Sequence, residues 1–352
     1  MTLRRIETVQ DLHQYLATAM QLEHATIPPY LTALYSMHAD ANLEAAEVLR
    51  IVVVEEMLHL TLVANLMNAV GMRADLTAPG FVPHYPAHLP DGETDFEVGL
   101  RAFSLDTIET FMRIERPGTV TDELDLVHRP RSARALLPAY RHEDAHDMHF
   151  YSIGEFYAEI ERGLRALLSQ AESQDDELFC GDPEHQVRVG DYFPFAAHVG
   201  PVVDLESAML AIDYITEQGE GLGERIYGEY DELSHYYRLE QIAHGRYYQH
   251  GDAPGWPGGH AFHVDWSAVH ALAPDPRVQD YPPGTHVRDL VDQFRSAYAG
   301  FLALLTDAFS GNPSRLDQAF AGMFRLRDLF RQIVDEPHPS REGCTATPVF
   351  PS

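Results

Sequence analysis

The sequence predicts a mainly all-α protein: a four-helix bundle with long crossover insertions and an added C-terminal helix pair. Three observations carry this. Long segments repeat apolar residues at three- and four-residue steps, strand-like alternation appears only in short pieces, and Ile51–Met67 is apolar on nearly every side of a helix.

That last stretch is the organising element. A helix apolar all round belongs inside a protein, yet this one carries Glu55, Glu56 and His59. An ionised group buried without a partner costs several kcal/mol, so these groups must be paired, neutralised or bound to metal. Glu56 and His59 stand three apart, which puts them on one face, about 5–6 Å apart at Cβ and able to reach the same ion.

Composition narrows the choice of partners. The 352 residues include 25 basic and 54 acidic side chains, a formal charge of −29, and 45% hydrophobic residues provide for a sizeable core. So acidic a surface repels phosphate backbones and anionic lipid, so no nucleic-acid or membrane partner is expected. No uncharged apolar run is long enough to span a bilayer, and Met1–Asp11 has no apolar signal core; a soluble, cytoplasmic protein is expected. Cys180 and Cys344 stand far apart, which gives neither a disulfide framework nor a thiolate site, so a metal here must use Glu, Asp and His.

Taken in order, Thr8–Met37 carries Leu12, Leu16, Met20, Ile27, Tyr30, Leu31 and Leu34 on one stripe, which predicts a first helix with Glu23 inside the stripe. Pro28 and Pro29, one turn further on, remove amide donors, so a kink or bulge is expected near Glu23. After a short link at 39–42, the second helix runs Leu43–Ala69 and stops at Gly71. So short a link makes the two helices antiparallel neighbours, and Glu23 and Glu56, each about 15 residues from the turn, come level.

From Met72 to Arg141 the period dissolves into a Pro-rich insertion with a strand-like alternation at Phe96, Val98 and Leu100. A short helix follows from Ser104 to Ile114. A third helix is expected from near His146 to about Leu168, with Glu155 and Glu159 beside its apolar side. A strand-like piece at Val187–Phe193 and an apolar helix at Leu205–Ile215 come next. A fourth long helix, Ile226–Tyr247, contains Glu232 and His235, again three apart. Two more, Val287–Phe309 and Ser314–Val334, close the chain around the Asn312-Pro313 turn. Two domains are expected: a bundle over 1–250 with the insertion 72–141, and a helical extension over 251–352 packed on it.

Glu-x-x-His alone is weak evidence, since about one or two arise by chance in such a chain; this one has three. The third, Glu143/His146, also spells His142-Glu143-Asp144-Ala145-His146, the zinc metalloprotease pattern, with the histidines as ligands and Glu143 as base. Its neighbours are charged on all sides, whereas a protease helix carries apolar residues behind its histidines, so a solvated helix start is preferred. The set with the right order is Glu23, Glu56 with His59, a third-helix Glu, and Glu232 with His235. One Glu from each of two helices and Glu-x-x-His from the other two is the di-iron or di-manganese arrangement of ferritin-like bundles. Four carboxylates offset two divalent ions, and oxygen ligands with one imidazole per ion suit Fe(II) or Mn(II). Glu55 is expected to act in catalysis by hydrogen-bonding a ligand on a neighbouring helix.

The runs Leu22–Leu31, Glu55–His59, Ser152–Tyr157 and Glu232–Tyr237 resemble the ferritin-like domain of the iminophenyl-pyruvate dimer synthases, which act in bisindole pathways such as those to violacein and rebeccamycin. The resemblance extends over nearly the whole chain. It implies Glu23, Glu56, His59, Glu155, Glu232 and His235 as ligands of two iron ions, with manganese as the other choice, and prefers Glu155 to Glu159. The expected activity is a non-haem di-metal oxidase or oxygenase using O2 or peroxide on a small amino-acid-derived metabolite of secondary metabolism. The rival is an iron-oxidising, iron-handling protein without an organic substrate.

Overall fold

In the computed structural model, residues 5–38, 40–90, 95–117, 150, 152–220, 225–228 and 231–352 are described. Among them are nine α-helices and no strand: α1 Val9–Ser36, α2 Leu43–Ala69, α3 Leu105–Ile114, α4 Ile153–Gln174, α5 Val189–Tyr192, α6 Leu205–Gly219, α7 His235–His244, α8 His286–Phe309 and α9 Arg315–Val334. The metalloprotease-like run 142–146 lies outside the described residues. No helix among those described is long and apolar enough to cross a membrane.

Helices α1 and α2 are the antiparallel pair that the short link dictates. Thr8 caps α1 in a reciprocal box with Asp11. The helix is continuous through Pro28 and Pro29, one turn beyond Glu23, near which a kink or bulge was expected. Pro29 has no N–H for the carbonyl of Ala25, and the Tyr85 hydroxyl, from the insertion, donates to that oxygen at 2.8 Å instead. A tertiary donor thus satisfies the group that the proline orphans.

The bundle closes when α4 packs on α1 and α6 on both α4 and α2. The fourth place therefore belongs to α6, not to the helix expected over Ile226–Tyr247. That expected helix is cut to α7, ten residues preceded by Ser234 at the N-cap. Gly228 and Asp231, the latter in the left-handed region at φ 67°, break any helix upstream of it. The strand-like pieces also fail to form strands. Val187–Phe193 contains α5, and the Phe96–Leu100 alternation pairs only through an isolated bridge between Ala87 and Val98. Neither piece has a second strand to pair with.

Helix α3, inside the insertion, packs on α7, and the C-terminal pair α8–α9 lies against α2 and α1. The Asn42 side chain clamps the α1–α2 turn to the C-terminal segment through both backbone groups of Asp265. Tyr298 on α8 bonds His24 on α1 at 2.9 Å.

Candidate metal centre

Two groups of buried side chains meet at the bundle centre: Glu23, Glu56 and His59, and Glu56, Glu115 and His235. Glu56 belongs to both. His59 Nδ1 lies 3.4 Å from Glu23 Oε2 and 3.8 Å from Glu56 Oε1, and His235 Nδ1 lies 3.0 Å from the same Glu56 oxygen and 3.5 Å from Glu115 Oε2. The two imidazoles face each other with ring centroids 5.4 Å apart.

The far nitrogens decide what the near ones present. His59 Nε2–H donates to Gln218 Oε1 at 3.0 Å, and His235 Nε2–H donates to Glu55 Oε2 at 3.0 Å. With Nε2 engaged in this way, each ring turns its Nδ1 toward carboxylate oxygens, where it could hold a proton or, as a neutral ring, a metal ion. His235 Nδ1 is buried and, though 3.0 Å from Glu56, makes no hydrogen bond. Lone pairs pointed at one another in a dry interior repel unless a cation or a proton stands between them. This orphaned nitrogen is the observation that fits the site to metal. The fit is chemical as well: carboxylate and imidazole donors, without thiolate, suit Fe(II) or Mn(II).

The electrostatics agree. Burial by itself pulls the His235 imidazole down, but Glu115, Glu55 and Glu56 together outweigh it and hold the ring well above its ordinary value. Burial, then the Glu115 charge, pushes the Glu56 carboxyl up to about 7. Without metal, protons on the rings are thus the positive charge that the surrounding carboxylates draw in, and a metal ion would take their place. Two divalent ions would match the four carboxylates Glu23, Glu56, Glu115 and Glu55. Hydroxyls orient three of them: Tyr157 donates to Glu23, Tyr30 to Glu115 at 2.5 Å, and Thr26 to Glu56 Oε2 at 2.8 Å.

Of the residues expected from sequence, the structure brings Glu23, Glu56, His59 and His235 together and leaves two outside. Glu155 sits in the capped first turn of α4 with its side chain exposed, because Phe156, Tyr157 and Ile160 take the inward face. Glu159 is buried, but it is spent on Arg162 and on the Ile6 amide. From α4 the centre thus receives a hydroxyl, that of Tyr157. Glu232 precedes α7 and packs over Gly228, so the three-residue spacing to His235 never becomes a helical turn. Glu115, at the C-cap of α3, joins the centre where a further bundle-helix carboxylate was expected. Its signal was present in the sequence: Ile108, Phe111 and Glu115 continue one buried stripe, with a carboxylate where the next apolar residue belongs.

Glu55 stands behind His235 and is also 3.9 Å from Arg238. Burial raises its carboxyl, but His235 and Arg238 more than offset this and hold it below the ordinary value. It is placed to hold the His235 ring in position. Glu55→Gln is expected to weaken metal binding about 10- to 100-fold with the stoichiometry retained, read by competitive metal titration.

A cavity of about 10 Å³ adjoins the centre, lined among others by Leu22, Glu23, Glu56, Ile215 and Glu220. It has room for about one water.

Residues 16–244 match the profile of the family described as Ferritin-like. The chain is 26% identical over 329 residues to a dichlorochromopyrrolate synthase of Lentzea aerocolonigenes, covering 84% of this chain and 28% of that protein. It thus spans little more than a quarter of the curated relative's length. Among solved structures, a ferritin like protein from Caulobacter vibrioides superposes with a TM-score of 0.62 at 22% identity, over 98% of this chain and 99% of that one, a likeness of fold.

Proposed function

The chain belongs to the ferritin-like family, and on that premise we propose that it is a non-haem di-metal oxidase or oxygenase. It would use O2 or peroxide on a small amino-acid-derived metabolite of secondary metabolism, with oxidative coupling as one such reaction. The observation that carries this reading is the unpartnered Nδ1 of His235 facing buried carboxylates, with Glu56 common to this group and to that of His59 and Glu23. The likeness to a synthase supports an enzyme.

Glu23, Glu56 and His59 would hold one ion, and Glu56, Glu115 and His235 the other. Bound iron or manganese would supply Lewis acidity and electrons for oxygen chemistry. Gln218 and Glu55 fix the imidazole tautomers, and Tyr157 and Tyr30 hold hydroxyl protons against the outer ligands. Leu22, Ile153 and Ile215 keep bulk water from the small cavity.

A second reading, iron oxidation without an organic substrate, draws on the size of that cavity, which suits a water-sized molecule better than a metabolite. Anaerobic Fe(II) titration followed by O2 separates the two. The enzyme reading expects saturation at roughly two ions per chain and oxidation that halts once those are spent. Continued oxidation of added Fe(II), with the product retained, would replace it with iron handling. A chain that binds less than one ion would overturn both.

A further inference from the structure

On the opposite side of α2 from Glu56, a second and much larger cavity of about 720 Å³ opens between α9 and the α1–α2 pair. Its volume is that of sites for drug-sized ligands, about 300–1,000 Å³. Val54 and Met57 of α2 contribute to its floor, and Tyr35, Phe193 and Phe320 make aromatic walls. Phe324, at 62% exposure, lies on its lining with the Arg327 guanidinium 5.3 Å from its ring centre.

The charge of this cavity runs against that of the chain. With 54 acidic and 25 basic residues overall, chance would line a cavity with carboxylates. Arg50, Arg327 and Arg331 line this one, against a single carboxylate, Asp335. Arg50 pairs with Glu47 and Arg327 with Asp328, and neither acid is part of the lining. Arg331 makes no ion pair among the described residues. All three guanidiniums act on the Tyr35 hydroxyl within the cavity: burial pushes that phenol up, and the three arginines pull it back. An apolar, ring-lined volume with convergent guanidinium charge suits a ligand that combines an aromatic body with an anionic end.

We propose that this cavity is a binding site for an aromatic monocarboxylate, its ring held by Tyr35, Phe193 and Phe320 and its carboxylate met by Arg331 and Arg327. The site stands apart from the metal centre and needs no metal, so its failure would leave the di-metal reading untouched.

Calorimetric titration of the full chain, with and without Fe(II), tests this with 3-phenylpropionate, its uncharged amide and decanoate. The acid is expected to bind at one site per chain in both states, with the amide and decanoate each at least tenfold weaker. The Arg327→Gln/Arg331→Gln double variant is expected to weaken the acid at least tenfold, with metal content and thermal midpoint unchanged. Equal affinity for acid and amide, an unaffected double variant, or no binding at millimolar acid would each overturn the proposal. Tighter binding of decanoate would reassign the site to fatty carboxylates. Sedimentation that shows a dimer, lost on Phe324→Ser, would give the cavity to a second copy of the chain.

Discussion

Glu56→Gln should take bound metal from roughly two ions per chain to close to none. No other carboxylate belongs to both ligand groups among the described residues. One of its oxygens lies 3.0 Å from His235 Nδ1 and 3.8 Å from His59 Nδ1, and the other accepts from Thr26. Glutamine keeps the volume and an acceptor for Thr26 but gives up the charge and one anionic oxygen. The same change has the opposite sign without metal, because it removes one of several like charges buried around Glu23, Glu55 and Glu115. The metal-free variant should therefore melt above the metal-free parent. Saturating metal should raise the parent by about 7 °C, from about 5.5 kcal/mol of linkage for two ions each at 100 times Kd, and leave the variant unmoved. Elemental analysis and thermal melts with and without Fe(II) read both effects. A variant that still carries two ions would remove the shared-ligand basis of the centre.

The second large effect discriminates between carboxylates that look alike in sequence. Glu115→Gln should cost one ion of the two, since Glu115 belongs only to the group with Glu56 and His235, while Glu23, Glu56 and His59 remain intact. Glu155→Gln and Glu232→Gln should leave the count unchanged, because the first side chain is exposed on α4 and the second packs over Gly228. Metal analysis of the three variants side by side decides it. Loss of an ion on Glu232→Gln, with none lost on Glu115→Gln, would mean that the loop before α7 rearranges on metal binding and that Glu115 is no ligand. Tyr30, whose hydroxyl donates to Glu115, offers an internal control: Tyr30→Phe removes that bond but no donor atom, so the metal count should hold.

How far each residue of the centre could be read from sequence follows from how local its geometry is. Glu56 and His59 are readable because both lie inside a helix of 27 residues whose apolar period is unmistakable, and the spacing within one turn does the rest. Glu23 is readable because a link too short for anything but an antiparallel turn sets its level against Glu56. His235 is readable by type but not by setting. The Glu232-x-x-His235 spacing implies a turn of helix, and the chain delivers instead a loop that ends at Ser234. Gly228 and the polar Asp231 are the residues in the sequence that argue against that turn.

The helical class, the long pairs α1–α2 and α8–α9, the burial of a polar face within α2, and the kind of chemistry that face can support are all legible in the order of residues. These depend on periodicity and on spacing within a single turn, which neighbouring residues settle among themselves. Long-range packing alone makes α6 complete the bundle and brings Glu115, at the end of a ten-residue helix of the insertion, to the centre while leaving Glu155 and Glu232 outside it. The physical reason is that a ligand set needs atoms within a few ångströms, whereas the order of elements along a chain leaves several packings that bury the same apolar stripes. Which carboxylate ends up inside is settled by the packing of α3 on α7 and by where each helix begins.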